Sequence, residues 1–430
     1  MKILLVSWFF PPLNDVAALR TGAFAEFFSR NGHTVRVLTA DRAHPDASLA
    51  LQVPDMQISR TSYFDVDHPL QKKLNHPAIG SAPTRQNAII PKPSAARKLR
   101  ATASEAYQHL THIPDRQIGW FPYAVRCGSQ MLNAGSVDLI YASAPPFTAH
   151  LIAKRLSDKF GVPWIAEYRD AWSHYLYQPR PRWRQVLDTS LENRTVSSAS
   201  AIVAVSEPWA DCFRNKFKKP TLAAYNGYDS AMISEVQHRS GRDEPLSISY
   251  LGVLYGGIRN PSPLYHAIRL SSLSPRDIRL KFYGAPPQEV LPLATSLGVA
   301  DFVDVMPRVS FQESISVQRQ SDVLLLLQSS EDERNVPAKL FEYFAARRPI
   351  LGIGLDSGVP ARLIRNRNAG YYGSDPDGIA RQLRAWIGEK RASGIPNTPE
   401  LALQGLARKD QLKNLEEFLR DFVRQGHAGG

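Results

Sequence analysis

Lys339 and Glu342 stand three residues apart in the stretch Asn335-Val336-Pro337-Ala338-Lys339-Leu340-Phe341-Glu342-Tyr343-Phe344-Ala345-Ala346. A cation beside a helix start can hold a phosphate, and a carboxylate can accept two neighbouring hydroxyls of a diol. A plainer reading is an i,i+3 ion pair on a solvated face. The setting gives the stretch its interest. Val323 to Leu327 is an apolar run that reads as a buried strand, and a polar loop, Gln328 to Arg334, follows it. Pro337 suits a first helical turn, where its missing N–H costs nothing, and Asn335 or a neighbour can cap. Leu340, Phe341, Phe344 and Ala345 recur at helical spacing and can be buried together. A helix starting here leaves free N–H groups and a partial positive charge at its tip, a ready site for an anion. A cation in the first turn with an acid deeper in opposes the helix dipole by roughly a few tenths of a kcal/mol. The arrangement therefore calls for a reason.

The elements that position this pair belong to a large protein. A chain of 430 residues suits two domains of about 200 residues each. With 43% hydrophobic residues it can fill two cores. No apolar run approaches the roughly 18–20 residues of a membrane span. Met1 to Val6 reads as a first strand and not as a signal peptide. Cys127 and Cys212 have no metal-ligand spacing and imply no disulfide framework, which fits a reducing cytoplasm. The net charge of +12 points to an anionic partner: nucleotide, nucleic acid or membrane surface.

Strands and helices alternate twice along the chain. Lys2 to Ser7, Val35 to Thr39, Asp138 to Ala142, Trp164 to Glu167 and Ala201 to Val205 read as strands of a first run. Leu246 to Leu251, Arg279 to Tyr283, Phe302 to Met306, Val323 to Leu327 and Ile350 to Ile353 form a second. The pattern predicts an α/β fold of two doubly wound domains facing across a cleft. The turn Tyr225-Asn226-Gly227-Tyr228-Asp229 marks the boundary. Residues 1–225 form the first domain, with a basic insertion at about 41–120, and 226–405 form the second. The helix in 406–430 is a candidate to pack back on the first domain. Between Gln71 and Gln130 the bases are Lys72, Lys73, Arg85, Lys92, Arg97, Lys98, Arg100, Arg116 and Arg126, against Glu105 and Asp115. This segment is either an arm for anionic lipid headgroups or a solvated loop. No nucleic-acid motif accompanies the charge, so nucleic acid is not the expected partner.

Taken in order, several short motifs make the chain resemble the family-4 retaining glycosyltransferases of the GT-B fold, of the bacterial polysaccharide and lipid-linked glycan type. They are Phe9-Phe10-Pro11-Pro12, Pro114-Asp115-Arg116 with Gly119-Trp120, Ser143-Ala144-Pro145-Pro146 and Glu167-Tyr168-Arg169-Asp170-Ala171-Trp172. Asn226-Gly227-Tyr228-Asp229, Tyr250-Leu251-Gly252 through Arg259-Asn260-Pro261-Ser262-Pro263-Leu264, and Val336 to Ile350 complete the set. The resemblance spans nearly the whole chain. It implies two Rossmann-like domains, a nucleoside-diphosphate sugar as donor held by the second, and a lipid-linked or polysaccharide acceptor held by the first. It also implies metal-independent hexosyl transfer with retention, in cell-surface glycan biosynthesis, with no cofactor.

Carried over residue by residue, Glu342 matches the acid that takes the donor ribose hydroxyls, and Arg259 matches a base on the diphosphate. Lys339 and the amides near Pro337, with Val336 and Leu340, would join the donor site. Gly252 and Gly284 would let the backbone approach the nucleotide, with Arg308 flanking the base. Arg169 and Asp170 are the candidates for orienting sugar or acceptor. Pro11, Asp15 and Pro145 would face the acceptor, and so would His150, several residues past the position after the Asp138–Ala142 strand where many members carry a histidine and this chain has Ser143-Ala144-Pro145-Pro146. Departures stand beside these matches. The first acid of the family's E-x7-E motif falls on Arg334, leaving Glu333, one residue off, as its substitute in the catalytic set. The paired glycines of the first loop are absent, and Asp15-Val16-Ala17 occupies the region. The expected location is cytoplasmic, peripheral on the inner face of the plasma membrane. Two alternatives remain: a nucleotide-sugar epimerase of similar fold, and a non-catalytic binder of nucleotide-sugar or anionic lipid.

Overall fold

The computed structural model describes residues 1–42, 49–50, 53–54, 57–67, 106–173, 180–233, 241–329 and 333–427. The chain divides into two compact units, Met1–Ala224 with Leu415–Gly430, and Tyr225–Asn414. Lys72, Lys73, Arg85, Lys92, Arg97, Lys98 and Arg100 of the basic segment lie outside the described residues.

The first unit is a seven-stranded parallel sheet. Its strands are β1 (Lys2–Ser7), β2 (Thr34–Ala40), β3 (Ile58–Thr61), β4 (Leu139–Ala144), β5 (Trp164–Tyr168), β6 (Ala201–Ala204) and β7 (Thr221–Ala223). They run in the order β3-β2-β1-β4-β5-β6-β7. Among the helices that accompany it are α1 (Val16–Arg30), α2 (Phe121–Ala134), α3 (Thr148–Phe160), α4 (Arg182–Val196) and α5 (Glu207–Phe217). Ile3, Leu4, Leu5 and Val6 are all buried, as expected of a strand covered on both faces. From β1 the chain runs outward to β3, then returns to place β4 on the other side of β1. That reversal is where open α/β sheets bind ligands, at the carboxyl ends of the strands.

The second unit repeats the plan with six parallel strands. They are β8 (Leu246–Leu251), β9 (Ile278–Tyr283), β10 (Val303–Met306), β11 (Val323–Leu327), β12 (Ile350–Ile353) and β13 (Gly370–Tyr372). The order is β10-β9-β8-β11-β12-β13, so the reversal falls between β8 and β11. Its helices are α6 (Ser262–Leu270), α7 (Pro287–Ser296), α8 (Phe311–Gln320), α9 (Ala338–Ala346), α10 (Val359–Asn366) and α11 (Pro376–Ser393). Val323 to Leu327 is buried throughout. The apolar face of α9 is buried as its spacing implies: Leu340, Phe341, Phe344 and Ala345 sit in one cluster with Leu324, Leu326 and Ile350. Truncating Phe341 there would cost about 3–5 kcal/mol, so α9 is fixed on the sheet.

The two doubly wound α/β units agree with the alternation read from the sequence. That reading left out β3, β7, β13 and α10, all short. The last helix, α12 (Arg408–His427), turns Glu416 toward residues after α1: Asn31 Nδ2 donates to it at 2.8 Å and His33 Nε2 lies 2.8 Å away. No helix among the described residues is long and apolar enough to cross a membrane.

Candidate functional site

In the second unit the reversal joins two loops. One leaves β8 at Leu251, and the other leaves β11 at Leu327 and enters α9. Lys339 projects from the first turn of α9 and its Nζ donates to the Leu251 carbonyl. Gly252 follows with φ 150°, and a Cβ added there would stand 3.1 Å from the Lys339 Nζ. Only a glycine adopts that backbone and leaves the ammonium room. Removal from water lowers the Lys339 pKa from its ordinary value to about 8; Glu342 pulls it back up and Arg259 pushes it further down. Two cations and one carboxylate therefore share a field. Arg259 lies over the Tyr255 ring, 4.7 Å from its centroid, and reaches the Tyr250 hydroxyl. Glu342 Oε2 accepts from Gln318 Nε2 at 3.1 Å, and Gln318 is buried on α8. The carboxylate is thus steadied from behind.

The start of α9 differs from the expectation in detail. Pro337 is the N-cap, in extended conformation, and makes no side-chain capping bond. Asn335 does not cap: its carbonyl accepts from Gln328 Nε2 at 3.0 Å. A proline at the cap offers no side-chain acceptor, so the helix tip keeps its positive end. Val336 and Leu340 lie at the same helix start. Both side chains are buried in the core, and what they can offer a ligand is backbone. Gly284 has φ 80°, and a Cβ there would lie 3.9 Å from Arg308 Cγ and 4.0 Å from the Gly252 carbonyl. Gly252, Gly284 and Arg308 therefore line adjacent strand ends. Glu333 is engaged elsewhere: Ser357 Oγ donates to it at 3.0 Å, and its carbonyl accepts from Val359 N at 3.1 Å. Its contacts tie it to the loop that enters α10 rather than to the Lys339 group.

In the first unit, Arg169 follows β5 and donates to the Pro145 carbonyl. Its guanidinium lies 5.7 Å from the Phe9 ring centroid. Burial lowers its pKa from the ordinary value, while Glu167, Asp170 and Asp15 oppose that shift. Its Nε is buried with no partner among the described residues. Asp15 caps α1, accepting from Ala17 N at 2.7 Å. Pro11 is buried, and its carbonyl accepts from Arg60 Nη2 at 3.2 Å. The structure thus gathers Asp15, Pro145, Arg169 and Asp170. It does not add His150. That ring is wholly buried beside Phe147, Trp164, Tyr168 and Trp172, with Nε2 3.1 Å from the Glu167 carbonyl. Burial lowers its pKa to about 4, so it is a neutral core histidine and not an acceptor contact.

The sequence reading missed the group beneath Arg169. Glu167 is buried and pairs with Arg20 at 2.9 Å. Tyr141 donates to it at 2.7 Å, and Ser143 donates to its other oxygen. Burial pushes the Glu167 pKa up, but Arg20 and these donors overcome that and leave it below the ordinary range. Arg20 and Glu167 are separated by 147 residues, so no local signal pairs them.

Residues 17–227 match the model of the Glycosyl transferase 4-like domain. Solved structures with the same fold include Anabaena Alr3699/HepE in complex with UDP and glucose. It is 16% identical with TM-score 0.58, over 98% of this chain and 99% of that one. The sucrose-phosphate synthase (tll1590) of Thermosynechococcus elongatus is 13% identical with TM-score 0.66, over 99% and 100%. WaaG, a glycosyltransferase involved in lipopolysaccharide biosynthesis, is 13% identical with TM-score 0.55, over the full length of both chains. A search of curated proteins finds no match. The likenesses establish the GT-B fold, and the domain match carries the family-4 resemblance.

Proposed function

We propose, for a chain with a glycosyl transferase 4-like domain in a GT-B fold, that it transfers a hexosyl group from a nucleoside-diphosphate sugar. The observation that carries this reading is the convergence of Lys339, Arg259 and Glu342 at the proline-capped start of α9. Two cations and free amides suit a diphosphate, and a carboxylate one helical turn on suits a ribose diol. Anabaena HepE was crystallised with UDP and glucose, which supports a nucleotide-sugar donor here.

In the transfer, the bond between the anomeric carbon and the diphosphate oxygen breaks, and the electron pair leaves with the nucleoside diphosphate. The acceptor oxygen forms the new bond and gives up its proton. Lys339, Arg259 and the α9 amides stabilise the charge that grows on the leaving phosphates. The configuration is retained, and no metal or cofactor is called on. Arg169, Asp170 and Asp15 orient the acceptor, a lipid-linked or polysaccharide glycan. The net charge of +12 supports work at the cytoplasmic membrane face.

Glu342→Ala tests the donor assignment. The variant should stay folded, with a melting temperature lowered by the loss of the Gln318 bond, and lose about tenfold or more in nucleotide-sugar affinity by calorimetry. An unchanged affinity would remove the ribose role. Incubation with a nucleotide-sugar panel and membrane lipid extract, read by mass, separates transfer from its rivals. Epimerised donor without acceptor would indicate an epimerase, and binding without any product a non-catalytic binder.

A further inference from the structure

Helix α4 is folded inside out. Arg184, Asp188 and Glu192 recur every four residues on its inner face and are at most 2% exposed. Trp183, Val186 and Leu187, on the outer face, are 48%, 70% and 38% exposed. A surface helix ordinarily buries its apolar stripe. Here the charged stripe is buried because it is fully partnered. Arg184 pairs with Asp188 at 2.9 Å and donates to the carbonyls of His109 at 2.7 Å and Pro114 at 3.0 Å. Arg180 also pairs with Asp188. Lys216, Tyr168 and Ser173 hold Glu192 at 2.7, 3.0 and 2.6 Å. These bonds seat the stretch around 106–114 against α4. The His109 ring meets Trp183 at 6.4 Å, and the next residue, Leu110, is 66% exposed.

The outcome is an apolar outer patch whose charged neighbours on the helix are cations. Arg182 and Arg194 are exposed, whereas Asp188 and Glu192, the acids of α4, both face inward. Apolar area flanked by cations, on a helix whose own acids are buried, matches an anionic lipid surface, with the tryptophan suited to the headgroup level. A second copy of the same face would set like charges opposite each other. We propose that the outer face of α4, with Leu110, docks the protein on an anionic membrane. The proposal deepens the functional reading by placing a membrane contact beside a unit assigned to a lipid-borne acceptor. It rests on that reading only for the purpose of docking.

The test uses the full chain and needs no turnover. Co-sedimentation is measured with vesicles of phosphatidylcholine containing phosphatidylglycerol, and with pure phosphatidylcholine. The parent should bind the anionic vesicles, and the Trp183→Ser, Val186→Ser, Leu187→Ser triple variant should lose about tenfold or more in partitioning. Arg182→Glu with Arg194→Glu should lose severalfold, and the loss should shrink in high salt. All variants should bind nucleotide-sugar like the parent, which shows that they are folded. The proposal is overturned if the parent ignores anionic vesicles, if the triple variant binds them unchanged, or if the parent is a dimer that the triple variant dissolves. Failure of the parent to bind any nucleotide-sugar would instead count against the donor site and leave the docking result standing.

Discussion

The two sheets reverse direction in the same way, and a helix starts beside each reversal, yet the two helix tips are treated oppositely. In the first unit α3 follows β4. Its first residue, Thr148, donates from N to Asp115 Oδ2 at 2.9 Å and from Oγ1 to Oδ1 at 2.7 Å. The protein supplies its own anion from a distant segment. In the second unit α9 follows β11, and its N-cap is Pro337, which has no side-chain acceptor to offer the tip. There a lysine and an arginine surround the tip. One topology therefore yields one tip that meets a carboxylate of its own chain and one with a proline cap and two cations sharing its field. The same contrast extends to the charges nearby. Arg20 in the first unit is matched by Glu167 in a buried pair, whereas Lys339 and Arg259 repel each other across one partly buried carboxylate.

The largest effect should come from breaking the internally matched side. Glu167→Ala leaves Arg20 buried without its partner, and removing one member of a buried pair costs about 3–5 kcal/mol. Urea unfolding should show that loss, while the folded fraction keeps the parent's nucleotide-sugar affinity. A stability within experimental error of the parent would mean that the pair is solvated and that the contrast with Lys339 is overstated.

Asp115→Ala should be the next largest. The carboxylate satisfies the α3 tip and also accepts from Gln117 N at 3.0 Å, so it serves two helical starts. Burial pushes its pKa up, against the pull of the Thr148 donors. Loss of a cap with such donors costs about 2 kcal/mol. The melting temperature should fall, and added inorganic phosphate should restore part of the fall if the exposed tip can take an anion. An unchanged melting temperature would erase the distinction between the two tips.

These tips also show what the sequence made legible. The strand, loop and helix around α9 could be read because all their signals are local: an apolar run, a proline, and apolar residues at helical spacing. The alternation of such units identified the fold. Lys339 and Glu342 were visible for the same reason, and Arg259 and Gly252 through the order of motifs. Contacts between distant segments were not legible. Asp115 meets Thr148 across 33 residues, and Arg20 meets Glu167 across 147. His150 looked available because its helix follows a strand end, but its side faces an aromatic cluster that only the packed sheet creates. The cap position fell to Pro337, a neighbour of Asn335, whose carbonyl accepts from Gln328 instead. For α4 the choice of inner face depended on carbonyls at 109–114 and on Lys216, contacts that no local pattern announces.

The smallest effect is also the most specific, because affinity and stability should respond to pH in opposite senses. Lys339 has an ordinary value of 10.5 and is lowered to about 8 by burial. Below about pH 8 it is charged and can meet a diphosphate at full strength. Above that the folded protein releases the proton, and affinity should fall, by about tenfold for each pH unit until binding draws the proton back. Calorimetry with the nucleotide-sugar at about pH 7 and about pH 9 would measure this, and Lys339→Arg should flatten it, since guanidinium stays charged. For the unliganded protein the sign reverses. Between about pH 8 and the ordinary lysine value the unfolded chain binds more protons than the folded one, so the contribution of Lys339 to stability rises with pH. At the α3 tip, where the local charge is an aspartate, no such lysine step exists. If affinity shows no decline through about pH 8, or if Lys339→Arg keeps the same decline, then the α9 tip is not the anion site and the contrast between the two helix tips loses its functional meaning.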